Sequence, residues 1–331
     1  MIKKTAAVFP LLLVLLLGSA AAGLLLGSAR FSLTELWNGI SGENTDPSVK
    51  LIVFELRLPR VTGALFAGAG LAVSGLLLQT ATDNDLCSPN VIGVNAGAGF
   101  AVMLLLCLFP MAYPLLPAAA FAGALCTTMT VLGISFSGRR VFAKTTVILA
   151  GVAIAALFNA GISFLSQLYP ETLSSYASFS AGGFSGVMRE ELPVPCGMIT
   201  AGILLAWLLS SRLNLLCLGD ELAQSLGVRV RLVRFTALVL SSVLCAAVVS
   251  YAGLLGFAGL IVPHIARRIL GQDIRALVPF CALAGGILVI LSDLAARTLF
   301  SPAELPAGIL MAALGAPFFL YLLIRKRRDG V

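Results

Sequence analysis

Charge is scarce in this sequence. Of 331 residues, 22 are Lys or Arg and 15 are Asp or Glu, 11% in all, where soluble globular domains carry about 25%. With 59% hydrophobic residues and a mean hydropathy of +1.02, that scarcity excludes a soluble domain. It makes the chain an integral membrane protein with many spans. Histidine is scarcer still: His264 stands alone, beside Pro263 in LIVPHIARR, and reads as a packing or hydrogen-bonding residue rather than a base or ligand. The seven cysteines (87, 107, 126, 196, 217, 245 and 281) never fall as CxxC. That excludes a zinc site and a disulfide framework, and most lie in apolar runs, where free Cys is a small hydrophobe. GxxxxGK[ST] is absent, so the chain hydrolyses no nucleotide by the P-loop route. The glycine-rich GVNAGAGF follows no strand of a βαβ unit, which excludes a dinucleotide site. The net charge of +7 is spread over loops beside apolar runs, so it reports membrane topology rather than nucleic-acid binding.

What is present is a series of apolar runs. A helix needs about 20 residues to cross a hydrocarbon core of ~30 Å. The runs predict an all-α polytopic protein, one transmembrane domain over 1–331, with spans near 6–27, 59–79, 91–109, 113–136, 145–168, 193–211, 232–251, 253–270, 275–297 and 305–324. The first run is long for the apolar region of a cleaved signal peptide and is taken as a span. Small residues crowd the second (Gly63, Ala67, Gly70, Ser74, Gly75), as on a helix packed closely among others. Tyr169–Glu191 is too polar to span and reads as an external segment with a short helix, capped by a flexible SAGGFSG. The continuous run Phe235–Ile265 has arginines at both ends, and Gly253, Gly256 and Gly259 allow it to fold as two short spans. With that hairpin, six of the 22 Lys and Arg fall outside (Arg30, Lys50, Arg57, Arg60, Arg189, Arg297) and sixteen inside. This positive-inside bias puts both termini in the cytoplasm.

One stretch is amphipathic without spanning. Leu213–Val228, LNLLCLGDELAQSLGV, carries Asp220 and Glu221 at the start of a short helix. Leu218, Leu222 and Leu226 lie along one side, and Gly219 and Gly227 bracket it. Flanking arginines place it in the cytoplasm. Both a docking element for a soluble partner and an ordinary inter-span loop satisfy the pattern. Ion-coupled transporters need ionisable groups deep in the membrane, and the spans here hold almost none. Asp293 is the main exception, and its i,i+4 spacing to Arg297 reads as a structural pair near an outer helix end.

Several motifs together resemble the permease subunits of ABC importers for iron–siderophore complexes, haem and cobalamin. They are ELRLPR (Glu55–Arg60), GLAVSGLLLQ (Gly70–Gln79), IGVNAGAG (Ile92–Gly99), ILAGVAI (Ile148–Ile154), LNLLCLGDELAQSLG (Leu213–Gly227), GLLGFAGLIVPHIARR (Gly253–Arg268), SDLAAR (Ser292–Arg297) and ELPAGILMAALGAPFFLYLL (Glu304–Leu323). The resemblance runs from Leu56 nearly to the C-terminus and implies ten helices per subunit. It implies a non-catalytic subunit that binds no cofactor, with ATP and Mg on a partner ATPase. Leu218, Gly219, Asp220, Ala223, Leu226 and Gly227 would form the helix that couples to that ATPase. Arg57, Arg60 and Arg297 would face outward to dock a binding protein, although as bare cations they equally suit headgroup anchoring. Lys144, Thr145 and Thr146 match a cytoplasmic gate, with helix capping by Thr145 as the plainer role. The implied partners are a second permease subunit (a copy or a paralogue), two cytoplasmic ATPases, an extracytoplasmic substrate-binding protein and the lipid of a bacterial inner membrane, with no nucleic acid. The implied cargo is an iron chelate, first a ferric siderophore, with haem or cobalamin as alternatives and an ion-coupled secondary transporter as the rival class. The sequence departs from the family where RNPLADP is common, reading DNDLCSP (Asp83–Pro89), and lacks the tryptophan common before the external Gly-Gly, where Ser178 and Phe179 stand.

Overall fold

The computed structural model describes residues 2–27, 51–137, 144–300 and 303–328. Arg30, Lys50, Arg139 and Arg140 lie outside the described residues. The described elements are helical: α1 (Ile2–Leu25), a π-helical turn (Leu51–Arg57) running into α2 (Leu58–Thr82), α3 (Val94–Leu108), α4 (Leu116–Phe136), α5 (Lys144–Leu168), the short α6 (Leu173–Ala181), α7 (Pro193–Leu216), the six-residue α8 (Asp220–Ser225), α9 (Val230–Ala252), α10 (Ala258–Leu270), α11 (Ile274–Thr298) and α12 (Ala307–Arg328). Ten of these fall on the ten expected spans. Seven helical segments are long and apolar enough to cross a membrane, while α3 and the apolar part of α12 are shorter. The 13-residue α10 is only ~20 Å long at 1.5 Å per residue.

Small residues decide which helix is central. α2 is the most buried span, because its glycines let neighbours approach to backbone distance. A Cβ added at Gly75 would lie 1.9 Å from the carbonyl oxygen of Gly259 on α10, and one at Gly68 would lie 2.0 Å from that of Gly285 on α11. Polar residues reinforce the packing. Ser74 Oγ donates to Ser241 O on α9 at 2.6 Å, and Ser241 Oγ donates back to Ser74 O at 2.8 Å. Buried hydroxyls satisfied in this way lock one helix register.

The long run Phe235–Ile265 divides as expected. α9 stops at Ala252, Gly253 turns with φ +67°, and Phe257 adopts φ +66° before α10. The expectation of a flexible SAGGFSG is corrected. Gly182 (φ +64°) ends α6, Gly183 N donates to Ala252 O at 2.9 Å, Gly308 N donates to Gly182 O at 3.0 Å, and Phe184 is buried. Glycine is needed there because a Cβ at Gly182 would strike Leu254 O at 2.5 Å; the segment is a knot joining α6, α9 and α12. α9 ends beside the start of α2, where Tyr251 Oη donates to Gly63 O at 2.8 Å, and begins at the opposite end of the bundle, where Arg231 Nη2 donates to Phe136 O at the end of α4.

Candidate functional site

At that same end sits α8. Gly219 enters it at φ +101° and Gly227 leaves it at φ +83°, a left-handed geometry that costs glycine little. Asp220 and Glu221 occupy the first turn, where the free backbone N–H groups favour negative charge. Ala223 is wholly buried, whereas Leu218, Leu222 and Leu226 are 55%, 58% and 60% exposed. The bracketing glycines and the leucine side therefore lie where the sequence put them. Asp220 does not simply face out: its Oδ1 accepts from Nη2 of the buried Arg234 on α9 at 2.5 Å. Arg234 went unnoticed in the sequence, where it is one arginine among several before an apolar run.

Beside α8 a recess of about 610 Å³ is lined by Gln79, Asp83, Asp85, Cys217, Leu218, Arg267 and Asp273 among others. The divergent connector 83–89 forms one wall. Asp83 takes φ +50°, Asn84 Oδ1 accepts from Leu86 N at 3.0 Å, and Arg267 Nη1 donates to Asp85 Oδ1 at 2.9 Å and to Gln79 Oε1 at 2.5 Å. The Gln79 amide in turn donates to Gly259 O at 3.1 Å, so one glutamine ties α2 to both ends of α10. On the opposite wall Asp273 caps α11 and accepts from Asn214 Nδ2 at 2.7 Å. Cys217 is exposed at the rim. Desolvation by surrounding protein pushes its thiol up; Arg267 pulls it down, while Asp83 and Asp85 push it further up. The expected gate lies at the same end: Lys144 opens α5, Thr145 is exposed and Thr146 half-buried. Residues 138–143 before it lie outside the described residues.

The three arginines expected at the outer face meet at the other end, each bonded within this chain. Arg57 is 5% exposed and donates to the carbonyls of Leu24 and Leu25 at 2.8 and 3.0 Å, closing the end of α1. Arg297 is 4% exposed and donates to Gly23 O. Arg60 holds Asp293 with a two-pronged grip, Nε to Oδ2 at 2.9 Å and Nη2 to Oδ1 at 3.0 Å, and reaches Glu304 at 2.7 Å. The expected Asp293–Arg297 pair is secondary, with Arg297 Nε 3.9 Å from Asp293. In a helix that faces apolar surroundings, Arg297 satisfies the free carbonyl at the end of α1 and leaves the buried acid to Arg60. The arginines line a cavity of about 510 Å³ with Glu55, Met188 and Glu304. Among the described residues no cluster of His, Cys, Asp or Glu could hold a metal ion.

Comparison with known proteins gives the family. Residues 11–325 match the FecCD transport family. The chain is 37% identical over 326 residues to the hemin transport system permease protein of Yersinia pestis, covering 96% of this chain and 94% of that one. It is 36% identical over 279 residues to the Fe(3+)-citrate import system permease protein of Bacillus subtilis (strain 168), covering 84% and 83%. Its fold superposes on a metal-chelate type ABC transporter solved in an inward-facing conformation, with a TM-score of 0.86, 32% identity and coverage of 97% and 99%. The match runs over nearly the whole chain, and the chain belongs to the FecCD transport family.

Proposed function

We propose that this chain forms the translocation path of an ATP-driven importer for an iron chelate, first a ferric siderophore, in a bacterial inner membrane with both termini cytoplasmic. The observation that carries the proposal is the face of α8. Leu222 on α8 and Leu218 and Leu226 flanking it stand more than half exposed outside the spans, and a grouped apolar face of that kind suits a partner. A cytoplasmic ATPase with an apolar cleft fits. Leu218 and Leu226 make the contact, Gly219 and Gly227 set the angle, and Asp220 and Ala223 seat the helix on its own subunit. ATP and Mg bind that partner, two copies of which would serve the assembly; this chain hydrolyses nothing and holds no cofactor.

The path itself is shared with a second permease subunit. α5 exposes Leu149, Val152, Leu157 and Phe164, but also Asn159, Ser163 and Gln167, and amide side chains are costly against hydrocarbon. A weakly polar lining of that kind passes a bulky chelate without gripping it. At the outer end, carboxylates of a binding protein would enter the cavity of Arg57, Arg60 and Arg297, where arginine gives orientation as well as attraction. Lys144, Thr145 and Thr146 gate the inner end. The hemin relative, at 37% identity over nearly its full length, supports haem as the second cargo.

The test is recovery of the tagged chain from native membranes in detergent. A P-loop ATPase at one copy per permease is expected, and Leu222→Glu with Leu226→Glu should abolish its recovery while the chain still inserts. Both leucines are exposed, so the substitution spares the packing of α8. The co-purified binding protein, titrated with ferric siderophores and haem, identifies the cargo. A preparation without ATPase that transports under an ion gradient would overturn the proposal.

A further inference from the structure

The arginines around the outer cavity differ in what holds them. Arg57 and Arg297 donate to main-chain carbonyls at the end of α1. Arg60 is held by two carboxylates. Its Nε and Nη2 grip Asp293, and its Nη1 donates to Glu304 Oε2 at 2.7 Å. The two acids are not alike. Asp293 is sealed inside the bundle at 2% exposure, and a buried pair of that kind is costly to break. Glu304 stands 41% exposed on the cavity wall, where water competes for it and the bond contributes little. Of the two acids on Arg60, one is therefore fixed and the other exchangeable.

The chain around Glu304 is arranged so that only its side chain need move. Glu304 lies in the connection between α11 and α12. Leu305 N donates to Ala296 O at 3.2 Å, which ties the next residue back to α11. Gly308 N donates to Gly182 O at 3.0 Å, which ties the start of α12 to the end of α6. With the main chain held at both points, rotation about side-chain bonds releases Nη1 of Arg60 without moving a helix. The released donor would stand at the wall of a cavity of about 510 Å³, where a carboxylate from outside can take it.

We propose that Glu304 is an internal stand-in for a docking carboxylate. It neutralises Nη1 of Arg60 while the permease stands alone, and it is displaced when a binding protein seats a Glu or Asp in the cavity. The proposal rests on the reading of the arginine cavity as the docking place. Because one carboxylate replaces another, Arg60 stays compensated in both states. The pair that is broken offsets part of the pair that is made. Docking then selects for a correctly placed acid more than for strong attachment, which suits a binding protein that must leave after each delivery.

The experiment measures the Kd of the co-purified binding protein, stripped of cargo, for the permease–ATPase complex in nanodiscs at 0.15 M salt. Glu304→Gln keeps the size of the side chain and removes its charge. It should tighten docking about two- to fivefold, the contribution usual for one exposed pair. Glu55→Gln is the control, since Glu55 is exposed on the same cavity and makes no ion pair among the described residues. Screening at this salt should leave its Kd within about 1.5-fold of wild type. Ser185→Glu places a new acid on the exposed rim and tests the docking reading by itself; it should weaken binding severalfold. If Ser185→Glu weakens docking while Glu304→Gln leaves it unchanged, loosens it or only matches Glu55→Gln, the stand-in is overturned and the docking reading survives. If Ser185→Glu changes nothing, or the wild-type complex binds no such protein, the docking reading falls and the stand-in with it.

Discussion

Asp293 is the sharpest place to test how this bundle handles its few charges. It is 2% exposed, lies on α11, and has two arginines within reach. Sequence spacing pairs it with Arg297 one turn away. The structure gives it to Arg60 on α2, 233 positions distant, through bonds of 3.1, 2.9 and 3.0 Å. Arg297 Nε stands 3.9 Å away, with its Nη2 already committed to Gly23 O. Removing one partner of a buried pair costs about 3–5 kcal/mol, because the other charge is left uncompensated. Arg60 keeps Glu304 at 2.7 Å, and its side chain retains 11% exposure, so Asp293→Ala should cost less, about 2–3 kcal/mol. Glu304 is 41% exposed, so Glu304→Gln should cost no more than about 1 kcal/mol.

The assay is reversible unfolding of the purified chain by SDS titration from mixed micelles, followed by circular dichroism, in two double-mutant cycles. The Asp293–Arg60 cycle should return a coupling of about 2 kcal/mol, and the Asp293–Arg297 cycle about 0.5 kcal/mol or less. A coupling to Arg297 as large as that to Arg60 would refute the reasoning, for the short-range pair would then dominate and the bidentate geometry would count for nothing.

Other expectations are equally open to measurement. Gly75→Ala should push α2 from α10, because the new Cβ would meet Gly259 O at 1.9 Å; the same unfolding titration should show a loss of at least about 1–3 kcal/mol, while Gly133→Ala, with nothing within 4 Å, should be neutral or slightly stabilising. In the recess beside α8, maleimide labelling of Cys217 should rise with pH and reach half its maximum above the usual thiol value of 9.0, since burial and the two aspartates disfavour the thiolate. Asp85→Asn removes one of those negative charges and leaves Arg267 less occupied, so it should move the profile to lower pH; an unmoved profile would place Cys217 away from the recess. Cys87, buried in the connector with its thiol pushed up to about 11, should stay unlabelled until the chain unfolds.

These cases also show which parts of the molecule can be read from sequence. Helix positions were legible because hydrocarbon thickness imposes length and because arginines count sides; the same count required the turn that Gly253 makes. Gly219 and Gly227 were legible because glycine at a helix boundary answers a local backbone need. What escaped was every bond between distant residues: Arg234 with Asp220, Arg267 with Asp85 and Gln79, Arg60 with Asp293. A periodicity argument sees neighbours one turn apart and so assigned Asp293 to Arg297. It also took glycine-rich SAGGFSG as flexible, when Gly182 serves close approach to Leu254 O and Gly183 N bonds Ala252 O.

The scarcity of charge nonetheless contains the missing step. A carboxylate buried in an apolar bundle must be compensated, and the side count already put Arg57, Arg60 and Arg297 at one end, with Asp293 read near the outer end of its helix. Within so small a set, the donor demand of the α1 terminus decides the pairing. The carbonyls of Gly23, Leu24 and Leu25 have no helical partner ahead of them, and Arg297 and Arg57 reach them. Arg60 then remains for the buried acid. A chain with more charge would have offered many solutions, whereas this one leaves almost none to choose between.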